Sequence, residues 1–324
     1  MRRLAAILVA VGLLLAACTD GGGDGPGGGG GDAGREQLFA EVASFDIAAG
    51  VPSRFLLGLG TQGPEGNLFL AGGAVDVRFF FLGEAQADGR EPAGEARAEF
   101  LPIHGSTGPY PARPESVPAS TARGVYSVEE HGFDRAGFWE AEIEADVADL
   151  GSRTTTAAFE VLAQPQVPVP GDRAPRTQNL TIDTYEDDDA PAAAVDSRAA
   201  TGDIPDPELH DATIAEALRD ARPVLAVFAT PVYCVSKFCG PITDMVSELE
   251  REYGDRAEFV HVEIWRNYEE QVVNRAAAEW ILADETLQEP WVFLVDGDGV
   301  IVERWDNVAT RQEIEPLLRE LPAA

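Results

Sequence analysis

Apolar and polar positions divide this chain into four stretches of different rhythm. Behind Met1-Arg2-Arg3, residues 4–17 are an unbroken run of apolar or small side chains. The run is too short to span a bilayer comfortably and has the length and basic flank of an export signal, which predicts its removal on maturation. Residues 35–163 carry short apolar or alternating runs at 39–47, 54–59, 75–82, 96–101, 125–129, 138–147 and 154–162, separated by turn signals such as Gly108-Pro109. Alternation without a helical period predicts strands, and this spacing predicts an antiparallel β-sandwich. Over residues 164–207 the rhythm dissolves into Pro165, Pro168, Pro170, Pro175, Pro191, Pro205 and Pro207, with an acidic run at Glu186-Asp187-Asp188-Asp189. That composition predicts a solvated linker. The acidic run lacks the spaced oxygens and turn glycine of a calcium loop, so no ion is assigned to it.

From His210 onward helix and strand signals alternate. Residues 213–221 predict a helix and 223–229 a buried strand. Residues 241–253 predict a helix with Ile242, Met245, Val246, Leu249 and Tyr253 on one face, followed by a second strand over 257–264. A helix over 268–283 comes next, then strands at 291–295 and 300–305 joined by Asp296-Gly297-Asp298-Gly299, and a last helix over 310–321. The expected organisation is a signal at 1–17, a tether at 18–35, a β-sandwich domain at 36–163, a linker at 164–208 and an α/β domain at 209–324.

Composition changes this picture in two places. Residues 19–34 are nearly all glycine with a few aspartates, a flexible coil that reads as a tether. With 56 acidic against 24 basic residues the formal net charge is -32, so nucleic acid and anionic headgroups are repelled, and no nucleic-acid partner is expected. His104 and His131 have no clustered co-ligands and read as surface or packing residues, so no metal is expected. Of the three cysteines, Cys18 follows the signal, which leaves Cys234 and Cys239 as a close pair in an oxidising compartment.

Several motifs carry resemblances to known families. Leu15-Ala16-Ala17-Cys18 resembles the lipobox of bacterial lipoproteins, which implies acylation of Cys18 and a lipid-anchored, extracytoplasmic location at the cell membrane. The strand pattern of 36–163 resembles an immunoglobulin-like module. Phe238-Cys239-Gly240-Pro241, with Glu289-Pro290-Trp291-Val292-Phe293-Leu294-Val295-Asp296 downstream, resembles the thioredoxin superfamily over the last 115 or so residues. The implied fold class is thus two domains, an N-terminal all-β immunoglobulin-like sandwich and a C-terminal α/β thioredoxin fold. The same resemblance implies a cis-proline at Pro290, a substrate groove lined by Pro290 and Trp291, and catalytic Cys234 and Cys239. Ile242 stands where that family has its second cysteine, so the partner of Cys239 is Cys234 upstream. The acid that the family buries just before its cysteines is absent, since residues 224–233 contain none.

A Cys-x4-Cys pair imposes its own geometry. Five residues of straight helix rise about 7.5 Å, beyond the roughly 7 Å limit on Cα separation in a disulfide, so one cysteine must leave the helix. Cys234 is expected in the loop after the strand and Cys239 at the helix start. There a sulfur meets unpaired amides and the positive end of the dipole, which favours Cys239 as nucleophile. Lys237, the only lysine of the chain, would favour thiolate if it points inward. Glu263 and His261 on the neighbouring strand are read as structural.

These features predict a membrane-anchored thiol-disulfide oxidoreductase acting on protein thiols and disulfides, with a membrane redox partner and no cofactor. The alternative is an anchored binding protein with a structural disulfide. Thr230-Pro231-Val232-Tyr233-Cys234 also resembles Cys-x4-Cys peroxiredoxins, one residue out of register and without their arginine. Sco-like copper handling is disfavoured by the cysteine spacing and the missing downstream histidine.

Overall fold

Strand alternation governs the first half of the molecule. A computed structural model describes residues 37–63, 66–85, 89–118, 123–236, 238–283 and 286–322. The signal at 1–17, Cys18, the tether at 18–35 and Lys237 lie outside the described residues. Nine strands come first: β1 (Gln37–Val42), β2 (Ser53–Gly63), β3 (Gly66–Ala71), β4 (Ala74–Gly83), β5 (Glu91–Pro102), β6 (Glu115–Val117), β7 (Gly124–His131), β8 (Gly137–Val147) and β9 (Gly151–Val161). In β8, Trp139, Ala141, Ile143, Ala145 and Val147 point into the core while Glu144 and Asp146 face water, the period-two pattern of a half-buried strand.

All nine belong to one antiparallel sheet, ordered β6-β3-β2-β7-β5-β4-β8-β9 with β1 also on β2. Its two ends approach each other. Ala48 bridges Leu162, and Leu162 N–H donates to the Ile47 carbonyl at 2.8 Å. The sheet curls as a half-barrel around a single core in which Phe55, Phe79, Phe133 and Trp139 meet edge to face.

Residues 164–208, expected as a solvated linker, form a packed layer instead. Val167, Leu180, Ala194, Val195, Asp196 and Ser197 are all buried, and three short 3-10 turns (Ala192–Ala194, Ser197–Ala199, Pro207–Leu209) shape the path. Composition misleads here because small alanines between prolines allow close approach to a neighbouring surface, and proline lowers the entropic cost of ordering the segment.

The last part opens with α1 (Ile214–Arg219), capped by a Thr213/Glu216 capping box. β10 (Val224–Ala229) is buried along its whole length. α2 (Cys239–Tyr253) returns the chain to β11 (Glu258–Glu263), which is parallel to β10. Residues 268–283, expected to be one helix, contain less. β12 (Trp265–Asn267) and β13 (Val272–Val273) pair as a ribbon, Gln271 takes a left-handed φ of 55°, and Asn274 caps α3 (Arg275–Ile281). The small pair β14 (Leu282–Ala283) and β15 (Thr286–Leu287) precedes β16 (Trp291–Val295), β17 (Ile301–Asp306) and α4 (Arg311–Glu320). The sheet order is β11-β10-β16-β17. Val292 and Leu294 pack toward α2 and α4, while Trp291, Phe293 and Val295 pack toward α1 and α3.

The expected fold class is corrected on both counts. The first half is one curled sheet rather than two packed sheets of an immunoglobulin-like sandwich. Among the described residues strands make up 41% and helices 17%, and four α-helices, three of them ten residues or shorter, are too little helix for an α/β thioredoxin fold. Residues 36–324 also form one compact unit. Arg304 of β17 donates to buried Asp46 at 2.7 Å, and Arg54 of β2 bonds Asp306 and Glu313. Among the described residues no helix is long and apolar enough to cross a membrane.

Candidate functional site

β10 delivers the chain to the cysteines. After Ala229 a turn over residues 230–233 lets Cys234 N–H donate to the Thr230 carbonyl at 3.1 Å, so Cys234 sits in non-helical backbone and Cys239 begins α2. The two form a disulfide with a Cα separation of 6.0 Å, within the span such a bond requires. Phe238, the residue before α2, supplies no side-chain cap. Cys234 Sγ takes that place, accepting from Cys239 N–H at 3.4 Å, with Ser236 Oγ 3.3 Å away.

The two cysteines differ in exposure. Cys239 is 0% exposed, whereas Cys234 retains 8%. Cys234 Sγ also receives the helix amide, and amide donation favours thiolate. Cys234 is thus the less buried residue and the one whose sulfur accepts the helix amide. Val235, between them, is 93% exposed, and Val232 is 54% exposed. Tyr233 stacks on Tyr268 at 3.9 Å beside the loop.

Pro290 is buried, and the Glu289-Pro290 peptide is cis. Trp291 does not face the cysteines. It is 3% exposed, stacks on Phe293 and meets Phe45 on the sheet face away from the cysteines. Strand alternation explains this, because a residue next to one on the cysteine side points to the other face.

The residue that sequence reasoning passed over is Glu289. Its carboxylate and both sulfurs lie within 4.8 Å of one another. Oε2 is buried without a hydrogen-bond partner. Burial, and secondarily the charge of Glu263, push the Glu289 carboxyl up to about 7. The sequence does contain a signal, an acid two positions before a strand residue that pairs with the end of β10, since Trp291 opposes Phe228.

A second buried cluster lies under the same loop. Asp196 Oδ2 is 3.5 Å from His210 Nε2 and 3.4 Å from His261 Nδ1, and the other His261 nitrogen bonds the Ala229 carbonyl at 3.0 Å. Such a donor set suits a divalent cation in type, but the Arg198 guanidinium already spans both Asp196 oxygens at 2.7–3.2 Å and compensates its charge. Glu263 accepts from the backbone of Ser197 at 2.8 Å and of Ile264 at 3.0 Å. Glu263 and His261 are thus structural, as the sequence suggests. His104 faces Glu248 at 3.5 Å, and His131 packs on Phe79.

No protein-family model, curated protein or solved structure matches this chain.

Proposed function

We infer that this protein is lipid-anchored through Cys18 on the extracytoplasmic face of a cell membrane and exchanges disulfides with protein partners through Cys234 and Cys239. The observation that carries this reading is the asymmetric pair, a reachable Cys234 that accepts a helix amide in front of a buried Cys239. Exposed Val232 and Val235 around the loop favour a polypeptide partner with apolar side chains. Cys234 attacks a partner disulfide, a mixed disulfide forms, and Cys239 resolves it. Trapping tests the order of attack. Cys239→Ser should accumulate mixed disulfides with partner proteins, while Cys234→Ser should not.

Near-complete burial of both cysteines supports a second reading, an anchored binding protein whose disulfide only staples the loop to α2. A reduction potential well above about -300 mV supports exchange, and one far below it supports the staple. For the anchor, Cys18→Ala should move the protein from the membrane fraction to the soluble one.

A further inference from the structure

We propose that Glu289 is the acid–base group of this site, taking the proton from the Cys239 thiol as it resolves the mixed disulfide and returning it to the departing partner sulfur. The inference rests on the exchange reading above and deepens it. Three observations support it. Among the described residues the carboxylate is the one acidic group that reaches both sulfurs, with all three ligand atoms within 4.8 Å. Its Oε2 is withdrawn from water yet bonded to nothing, so no structural partner accounts for its position, and such a group costs stability unless it serves another role. The remaining buried acids near the loop, Glu263 and Asp196, are occupied by amides, imidazoles and Arg198 and have no free acceptor aimed at sulfur.

The chemistry balances as follows. Cys234 thiolate attacks one sulfur of the partner disulfide, whose S–S bond breaks, and the first partner thiolate leaves and takes a proton from solvent. Cys239 thiol then gives its proton to Glu289, and the resulting thiolate attacks Cys234 Sγ. The Cys234–Cys239 bond forms, the bond to the partner breaks, and the second partner thiolate takes the proton held by Glu289. Two electrons pass from the cysteine pair to the partner, and the reverse sequence oxidises a partner dithiol. A carboxyl that titrates near neutrality suits both halves of this transfer. Among the described residues the groups facing Glu289 are the two sulfurs, from the loop and α2, and Glu263 on β11, whose charge raises it further.

The test is single-turnover reduction of a model protein disulfide such as insulin by the reduced full chain, followed from pH 5 to 9 for wild type, Glu289→Gln and Glu289→Asp. Wild type should show an inflection near pH 7. Glu289→Gln should lose it and slow resolution by about 100-fold at pH 7, with the mixed disulfide accumulating. Glu289→Asp should keep the inflection at an intermediate rate. Equal rates and profiles for wild type and Glu289→Gln would overturn the proposal while leaving disulfide exchange intact. A wild type that neither reduces insulin nor forms mixed disulfides would instead remove the exchange reading. Should Glu289→Gln not fold, the Glu289→Asp variant decides: slowed resolution with the inflection kept supports the role, and a rate and profile equal to wild type overturn it.

Discussion

Asp196 and Glu289 are both carboxylates withdrawn from water in the C-terminal part of the chain, and their surroundings drive them apart. Burial alone would raise Asp196, but His210, His261 and Arg198 outweigh it and hold the group well below the usual carboxylate range. Glu289 has no such company. Burial and the charge of Glu263 push it up to about 7. Similar chemistry thus yields a permanent anion in one place and a group poised to exchange a proton in the other. The difference lies in the donors each carboxylate finds, and it separates a structural acid from a functional one. His261 shows the same logic from the cation side. Burial lowers it, but Asp196 and then Glu263 outweigh that and raise it overall.

The largest expected effect comes from breaking the compensated side. Asp196→Asn takes the adjoining carboxylate from buried His261 and leaves Arg198 with only Asp206 and Asp244, which should cost about 3–5 kcal/mol in denaturant unfolding. The loss depends on pH. Asp196 is depressed from its ordinary 3.8, so its contribution is present above that value and fades as pH falls further. His261 is raised from 6.5, so its contribution is complete below 6.5 and fades as pH rises through its elevated value. The destabilisation should therefore be greatest between about pH 4 and 6.5. A loss under about 1 kcal/mol in that window would mean that the cluster is not the structural partner of this comparison.

Glu289→Gln should act in the opposite direction on stability. The folded protein holds this carboxyl at about 7 against an ordinary 4.5. Below about 4.5 the acid is neutral in both states and the variant gains nothing. As pH rises toward 7 and beyond, the wild type must ionise a buried group and loses stability that the glutamine variant keeps. The gap between the two should widen by about 3 kcal/mol from pH 4 to pH 8, read from urea unfolding of the oxidised proteins. A gap that stays flat with pH would place Glu289 among ordinary solvated acids.

How much of this was legible in the sequence differs by element. The strand runs were, because alternation such as that of residues 138–147 directly encodes a half-buried strand. Their assembly was not, since alternation says which face is inside and not whether a sheet meets a second sheet or curls back on itself, as Ala48 and Leu162 show. Spacing required one of Cys234 and Cys239 to leave the helix, and the strand and helix pattern around them indicated which. Glu289 did not, because a search for a proton-handling acid near the cysteines in sequence covers residues 224–233, whereas the antiparallel pairing of Phe228 with Trp291 brings one from about fifty residues downstream. Asp196 was hidden in a segment whose proline content reads as a linker, and its role emerges only with His210 and His261 beside it.

The smallest expected effect tests the proposal that Cys234, rather than Cys239, is the attacking sulfur. Ser236 Oγ lies 3.3 Å from Cys234 Sγ and accepts from Phe238 N–H at 3.4 Å, so it adds a hydroxyl to the amide that already favours a thiolate there. Sulfur is a weak hydrogen-bond acceptor, and one such contact is worth about 0.5 kcal/mol. Ser236→Ala should therefore slow mixed-disulfide formation at pH 7 by roughly twofold. Resolution by Cys239 should be unaffected if its proton passes to Glu289, as proposed above. Stopped-flow trapping in a Cys239→Ser background isolates the first step, and single-turnover kinetics of Ser236→Ala alone report the second. If Ser236→Ala slows resolution instead of attack, the order of the two sulfurs must be reversed, and Glu289 would then serve the incoming thiol rather than the resolving one.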